Sequence, residues 1–163
     1  MKTLYRQAPL VILGASIAVL AAALAFQYIG GLAPCELCIL QRWPYVATIV
    51  LGLLAFFASR SGNSGLARLL VALACIAFLI DAGIAAYHVG VEQKWWQGPT
   101  TCTGFQLGGS VQDMLKRIES APLVRCDEIA WSLFGISMAG YNFLLSLALA
   151  AFSALSLRTE PKR

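Results

Sequence analysis

Charged residues are absent from three long stretches of the chain and almost absent from a fourth. No charge occurs from Gln7 to Cys35, from Trp43 to Ser59 or from Ile129 to Leu157, and the segment Leu69 to Val91 holds only Asp81. Crossing the hydrocarbon layer of a bilayer takes about 20 apolar residues. The pattern therefore predicts four membrane helices, near 8–29, 43–59, 67–90 and 133–156. The second is short and would stand nearly upright or be extended by its flanks. Lys2 and Arg6 ahead of an Ala-rich run also suit a cleavable signal. That run is longer than the core of a signal and no polar mature domain follows it, so a retained membrane helix is the expectation.

The connections are short except for the segment 91–132. Trp95 and Trp96 open this segment and Trp131 closes it, as aromatic residues do at a headgroup boundary. Within it, Leu107, Val111, Met114, Leu115 and Ile118 recur at helical spacing, with Gln112, Asp113, Lys116 and Arg117 opposite. Ser110 and Asp113 resemble a capping box, and Pro122 follows the end. The expectation is a short amphipathic helix lying on the membrane surface, apolar face down, with packing on the bundle as the alternative.

Composition agrees with the pattern. The 163 residues are 59% hydrophobic and 12% charged, against about 25% charged in soluble domains. The fold class expected is an all-α integral membrane protein: one transmembrane domain over 1–163, built as a four-helix bundle with outer loops near 30–42 and 91–132. No linker, low-complexity tract or internal repeat divides it. Four crossings put both termini on one side, which carries Lys2, Arg6, Arg60, Arg68, Arg158, Lys162 and Arg163 against Glu160 alone. The other side carries Arg42, Lys94, Lys116, Arg117 and Arg125 against six acids. Positive charge stays inside, so the termini are expected in the cytoplasm and the loops outside. The net charge of +4 is thereby a matter of topology and implies no nucleic-acid partner.

That orientation gives four cysteines a meaning. Cys35 and Cys38 form a CxxC at the mouth of a span, and Cys102 and Cys126 bracket the long loop. All four then face an oxidising compartment, where disulfides persist. A CxxC lies within disulfide reach and tends to carry one activated thiol, the chemistry of exchange. A four-thiolate zinc site would favour a second close pair, and here the second spacing is 24 residues. An inert staple is the other alternative, but so small a ring constrains little chain entropy. Arg42 follows Cys38 by one helical turn; it suits a Cys38 thiolate or an anionic acceptor oxygen, and equally an interfacial anchor. His88, the sole histidine, sits at the outer end of the third span and suits either function or anchoring. Asp81 lies seven residues earlier on the same face, where a carboxylate needs a partner or a cavity. Cys75, mid-span, reads as a small core hydrophobe.

The run Pro34-Cys35-Glu36-Leu37-Cys38-Ile39-Leu40-Gln41-Arg42 resembles the first outer loop of the bacterial disulfide-bond formation protein B (DsbB) family. Tyr87-His88 ahead of the long loop is similar too, as are Cys126-Asp127-Glu128, Trp131 and Phe134-Gly135-Ile136-Ser137-Met138 before the fourth span. The resemblance covers essentially the whole chain; Asp81 and Cys75 fall outside it. It implies an inner-membrane oxidoreductase that reoxidises a periplasmic thiol oxidase of the DsbA kind and passes two electrons to membrane quinone, ubiquinone or menaquinone. In such proteins the second-loop pair, here Cys102 and Cys126, takes the partner's electrons and the CxxC relays them. The residues matching Arg42 and His88 border the quinone ring. A vitamin K epoxide reductase-like enzyme is the alternative within the class, although its CxxC usually lies nearer the far end of the sequence. A non-enzymatic membrane subunit stapled by two disulfides is the alternative outside it.

Overall fold

The computed structural model describes residues 2–99 and 124–158 of the chain, with side chains from Gln7 onward. Five helices and one small hairpin make up these residues: α1 (Lys2–Tyr28), α2 (Glu36–Leu40), α3 (Arg42–Arg60), α4 (Ser64–Glu92), β1 (Ser132–Leu133), β2 (Ile136–Ser137) and α5 (Met138–Arg158). Four segments are long and apolar enough to cross a membrane: Gln7–Tyr28, Glu36–Arg60, Ser64–Glu92 and Met138–Arg158. The fold is the expected four-helix membrane bundle. The expected surface helix and Cys102 lie outside the described residues.

Two boundaries differ from the charge pattern. The second span is extended at its outer end, because α2 and α3 run on from one another with a break at Gln41. Pro44 explains the break: it has no N–H to bond the Leu40 carbonyl, so the ladder is interrupted one turn earlier. The CxxC thus sits on helix rather than in a loop, with Cys35 as the N-cap of α2. The fourth span begins at Met138, not near 133. The intervening residues form a hairpin pairing Ser132 with Ser137 and Leu133 with Ile136. Its turn residues Phe134 and Gly135 have φ of 51° and 78°, a left-handed pair that suits a two-residue hairpin and ends any helical run. Ser137 then caps α5, accepting from the Gly140 N–H at 3.1 Å.

Helix α4 has 29 residues, about 43 Å at 1.5 Å per residue, and so overreaches the hydrocarbon. It lies centrally, packed on α3 and α5, while α1 packs mainly on α3. The interior is built from small residues (Ala55, Ala58, Ala67, Ala74 and Ala150) around Ile12, Tyr45, Phe78 and Leu149. Larger side chains such as Leu10, Ile17, Leu69, Ile76, Ile80 and Leu155 face outward. This distribution is expected where lipid is as apolar as leucine and helices associate by close approach. Cys75 packs only partly into the core and donates to the Ala150 carbonyl at 3.3 Å.

Candidate active site at one end of the bundle

Cys35 begins the site. As the cap of α2 its sulfur accepts from the Cys38 N–H at 3.2 Å, and its thiol donates to Cys38 Sγ at 2.8 Å. Both thiols are free. This sharing of one proton, together with burial, pushes the Cys35 thiol above its ordinary range. The two sulfurs face different surroundings. Cys35 packs with Leu37, Val91 and Cys126 in a buried cluster. Cys38 packs against the edge of that cluster and also forms part of the wall of a cavity of about 380 Å³.

Cys126 is fully buried and disulfide-bonded, and neither Cys35, Cys38 nor Cys75 is its partner. The turn around it is gripped from outside. Arg125 donates from Nε and Nη2 to the two carboxylate oxygens of Asp127 at 2.9 and 2.7 Å. That fork holds the Asp127 carboxyl below its ordinary range.

His88 joins the cysteines to the helices below. Gln41 Nε2 donates to the Leu37 carbonyl at 3.1 Å, which orients its amide, and meets His88 Nδ1 at 2.8 Å. An amide nitrogen only donates, so Nδ1 accepts and the ring hydrogen belongs on Nε2. That nitrogen faces Cys35 Sγ at 3.6 Å and Glu92 Oε1 at 3.9 Å. Glu92 in turn accepts from the Ser137 hydroxyl, which ties α4 to the hairpin. Cys35, Cys38 and His88 hold their donor atoms within 4.8 Å of one another, so the same three residues are also able to ligate a thiophilic metal.

The cavity is lined on α1 by residues such as Val19, Leu20 and Phe26, on α5 by Met138, Tyr141 and Leu145, and between them by Trp131 and Leu133. Its polar wall is Gln41, Arg42, Tyr45, His88 and Asn142. Among the described residues Arg42 pairs with no acid; its Nη1 donates to Gln27 Oε1 of α1 at 2.6 Å, which aims it along the wall. Trp131 packs on Phe26 and Tyr141 at ring distances of 5.2 and 6.3 Å, so it closes the cavity as well as the loop. Trp96 stacks on Tyr87 and donates to the Tyr87 carbonyl at 2.9 Å.

Of the residues singled out in the sequence, the fold brings Cys35, Cys38, Arg42, His88 and Cys126 to one end of the bundle. Gln41, Tyr45, Asn142 and Ser146 were not singled out. Asn142 and Ser146 stand four apart in the fourth span, and polar positions one turn apart on a membrane helix are the signal that marks them.

Similarity to known proteins bears on this arrangement. The family model for disulfide bond formation protein DsbB matches residues 5–156. A disulfide bond formation protein B of Verminephrobacter eiseniae is 34% identical, over 91% of this chain and 86% of its own. That of Methylococcus capsulatus is 34% identical over 85% of each. An uncharacterised protein of Rickettsia prowazekii is 31% identical over 96% of this chain and 90% of its own. No solved structure matches significantly. Four membrane helices with a CxxC at one end of the bundle, matched over nearly the whole length, place this chain in the disulfide bond formation protein B family.

Proposed function

We propose that this chain is a multi-pass inner-membrane enzyme that reoxidises a periplasmic dithiol oxidase of the DsbA kind and passes the electrons to membrane quinone. The observation that carries the reading is the division of the CxxC. Cys35 is packed beside the disulfide-bonded Cys126, and Cys38 is on the cavity wall. One pair of adjacent sulfurs thus faces a disulfide on one side and a chamber on the other.

The chamber suits a quinone head. Its size falls in the range of small-molecule sites, about 300–1,000 Å³, its walls are largely apolar, and Arg42 offers donors to ring oxygens. A bound quinone would supply a two-electron, two-proton acceptor. The residues do the rest. The second-loop pair, Cys102 and Cys126, exchanges with the partner's dithiol, each exchange forming one S–S bond as another breaks. A thiol released at Cys126 lies against Cys35 and attacks the Cys35–Cys38 disulfide there, forming a Cys126–Cys35 bond as Cys38 is released. When Cys102 re-forms its disulfide with Cys126, Cys35 is released in turn and both electrons reside on the CxxC. Cys35 retains the shared proton, leaving Cys38 to carry negative charge toward the cavity. His88 Nε2–H supports charge that appears on Cys35, and Arg42 supports charge that develops in the chamber. The charge bias places these loops outside and both termini in the cytoplasm.

The test is optical: quinone reduction followed with reduced partner and the purified protein in lipid, for ubiquinone and menaquinone. Cys102→Ser should block reaction with the partner while leaving the Cys35–Cys38 disulfide intact. Cys38→Ser should block quinone reduction but still trap a mixed disulfide with the partner. Failure of both variants at the same step would refute this order of transfer.

A further inference from the structure

Asp81 takes no part in the relay above, yet it is fully buried in α4 and joined to the cavity wall. Its Oδ2 accepts from Ser146 Oγ at 2.5 Å and from Asn142 Nδ2 at 3.0 Å, while Oδ1 has no hydrogen-bond partner among the described residues. Ser146 Oγ lies 2.9 Å from the Tyr45 hydroxyl, which donates to Asn142 Oδ1 at 2.6 Å. Tyr45 and Asn142 line the cavity; Asp81 and Ser146 stand one layer behind.

Three groups in this row, Asp81, Ser146 and Tyr45, can both give and take a proton. Their bonds can run in either of two directions. When Asp81 is ionised, Ser146 donates to it. When Asp81 is protonated on Oδ2, it can donate to Ser146, Ser146 to Tyr45, and Tyr45 forward to the cavity. A carboxylate with one bare oxygen in a membrane interior is costly, and a proton removes that cost. Asn142 cannot substitute for the row, because both hydrogens of its Nδ2 are already given, to Gln41 Oε1 at 2.7 Å and to Asp81.

We propose that Asp81 is a proton reservoir for the cavity, connected to it through Ser146 and Tyr45. The proposal rests on the reading that electrons from Cys38 reach an acceptor there. Oxidation of two thiols to a disulfide releases two electrons and two protons, and a quinone takes up two of each. The thiol protons leave on the outer side as thiolates form. One proton reaches the cavity along Asp81, Ser146 and Tyr45, and the second enters from the outer face. When the product leaves, the row runs in reverse and a proton from water in the open cavity restores Asp81. The groups around Asp81 are Tyr45 of α3, Asn142 and Ser146 of α5 and Gln41 at the α2–α3 break, with His88 and Glu92 farther out on α4. On α1, Ser16 is bonded to Thr48 at 2.8 Å and Gln27 to Arg42 at 2.6 Å. No other carboxyl contacts Asp81 among the described residues.

The experiment uses the full chain in lipid nanodiscs. Infrared spectra of quinone-free protein across pH should show a protonated carboxyl band that Asp81→Asn removes and Tyr45→Phe retains. Quinol formation should fall by on the order of 100-fold in both variants, the lower end for losing positioned proton transfer. Asp81→Asn should also flatten the pH–rate profile, whereas trapping of the mixed disulfide with the partner should stay at the wild-type rate. Asp81→Glu should recover part of the rate. Absence of an Asp81-dependent band, or wild-type rates and pH profiles in both variants, would overturn the reservoir. Wild-type protein unable to reduce quinone would instead refute the proposed function, and the infrared result would still decide whether Asp81 holds a proton.

Discussion

Two cysteines three residues apart are chemically distinct here because one caps a helix and the other lies within it. Cys35 shares its proton with Cys38 and is the more buried of the two. A thiol pushed upward keeps its proton at neutral pH and ionises only as pH climbs past the usual value of about 8.5. Alkylation of the reduced protein should therefore reach Cys38 first, and Cys35 should become competitive only in alkaline buffer; mass mapping across pH 6–10 reads this out. Equal reactivity of both at pH 7 would contradict the shared proton. Arg42 gives a second residue-level expectation. Among the described residues its one hydrogen bond is to Gln27, so the other guanidinium donors can serve the cavity. Arg42→Ala should weaken quinone turnover by about 1.5–3 kcal/mol, the worth of one charged hydrogen bond. Arg42→Lys should be intermediate, keeping charge without the planar fork. Rates against quinone concentration at equal membrane abundance would show it, and His88→Ala should cost less at this step because its Nε2 faces Cys35.

At the scale of elements, the outer end of α4 is the organising part. It carries His88 toward the cysteines, Glu92 toward the hairpin and Gly90 beneath an indole ring. A Cβ at Gly90 would lie 2.0 Å from Trp96, so the ring rests directly on the helix backbone. Gly90→Ala must expel Trp96 from its place against Tyr87, and overpacking of this kind costs about 1–3 kcal/mol. The expected outcome is a lower unfolding temperature in detergent together with red-shifted tryptophan emission. Unchanged emission would show that Trp96 packs elsewhere. The hairpin of β1 and β2 complements α4. Because it ends before Met138, Ser137 caps α5 and reaches Glu92 with one hydroxyl.

For the molecule as a whole, the charge bias sets the expected orientation, and the packing sets which residues share an end of the bundle. Cys35, Cys38 and Cys126 gather at the end of the bundle opposite the α3–α4 turn, where Arg60 and Arg68 lie. Membrane-impermeant thiol reagents applied to intact, reduced cells should label Cys38 and Cys102 and spare Cys75. Labelling of the outer cysteines only after the inner membrane is opened would reverse the topology.

The spans, their number, the expected sidedness and the CxxC chemistry were legible in the residue pattern, because burial in lipid constrains every residue of a 20-residue stretch and leaves a gap in the charges. The local geometry of the CxxC was legible too, since its two cysteines meet within one helical turn. Three things were decided only by tertiary structure. The start of the fourth span depended on a two-residue turn, a local preference that apolar composition conceals. The different surroundings of Cys35 and Cys38 arose from contacts with α4 and with the turn at Cys126, far away in sequence. The partner of Asp81 had to come from α5, 61 residues on, through Asn142 and Ser146. A sequence shows that a buried carboxyl needs a partner; only the packing of one helix against another shows which hydroxyl meets it, because that depends on rotation about the helix axis, which hydrophobicity nearly uniform around each span does not specify.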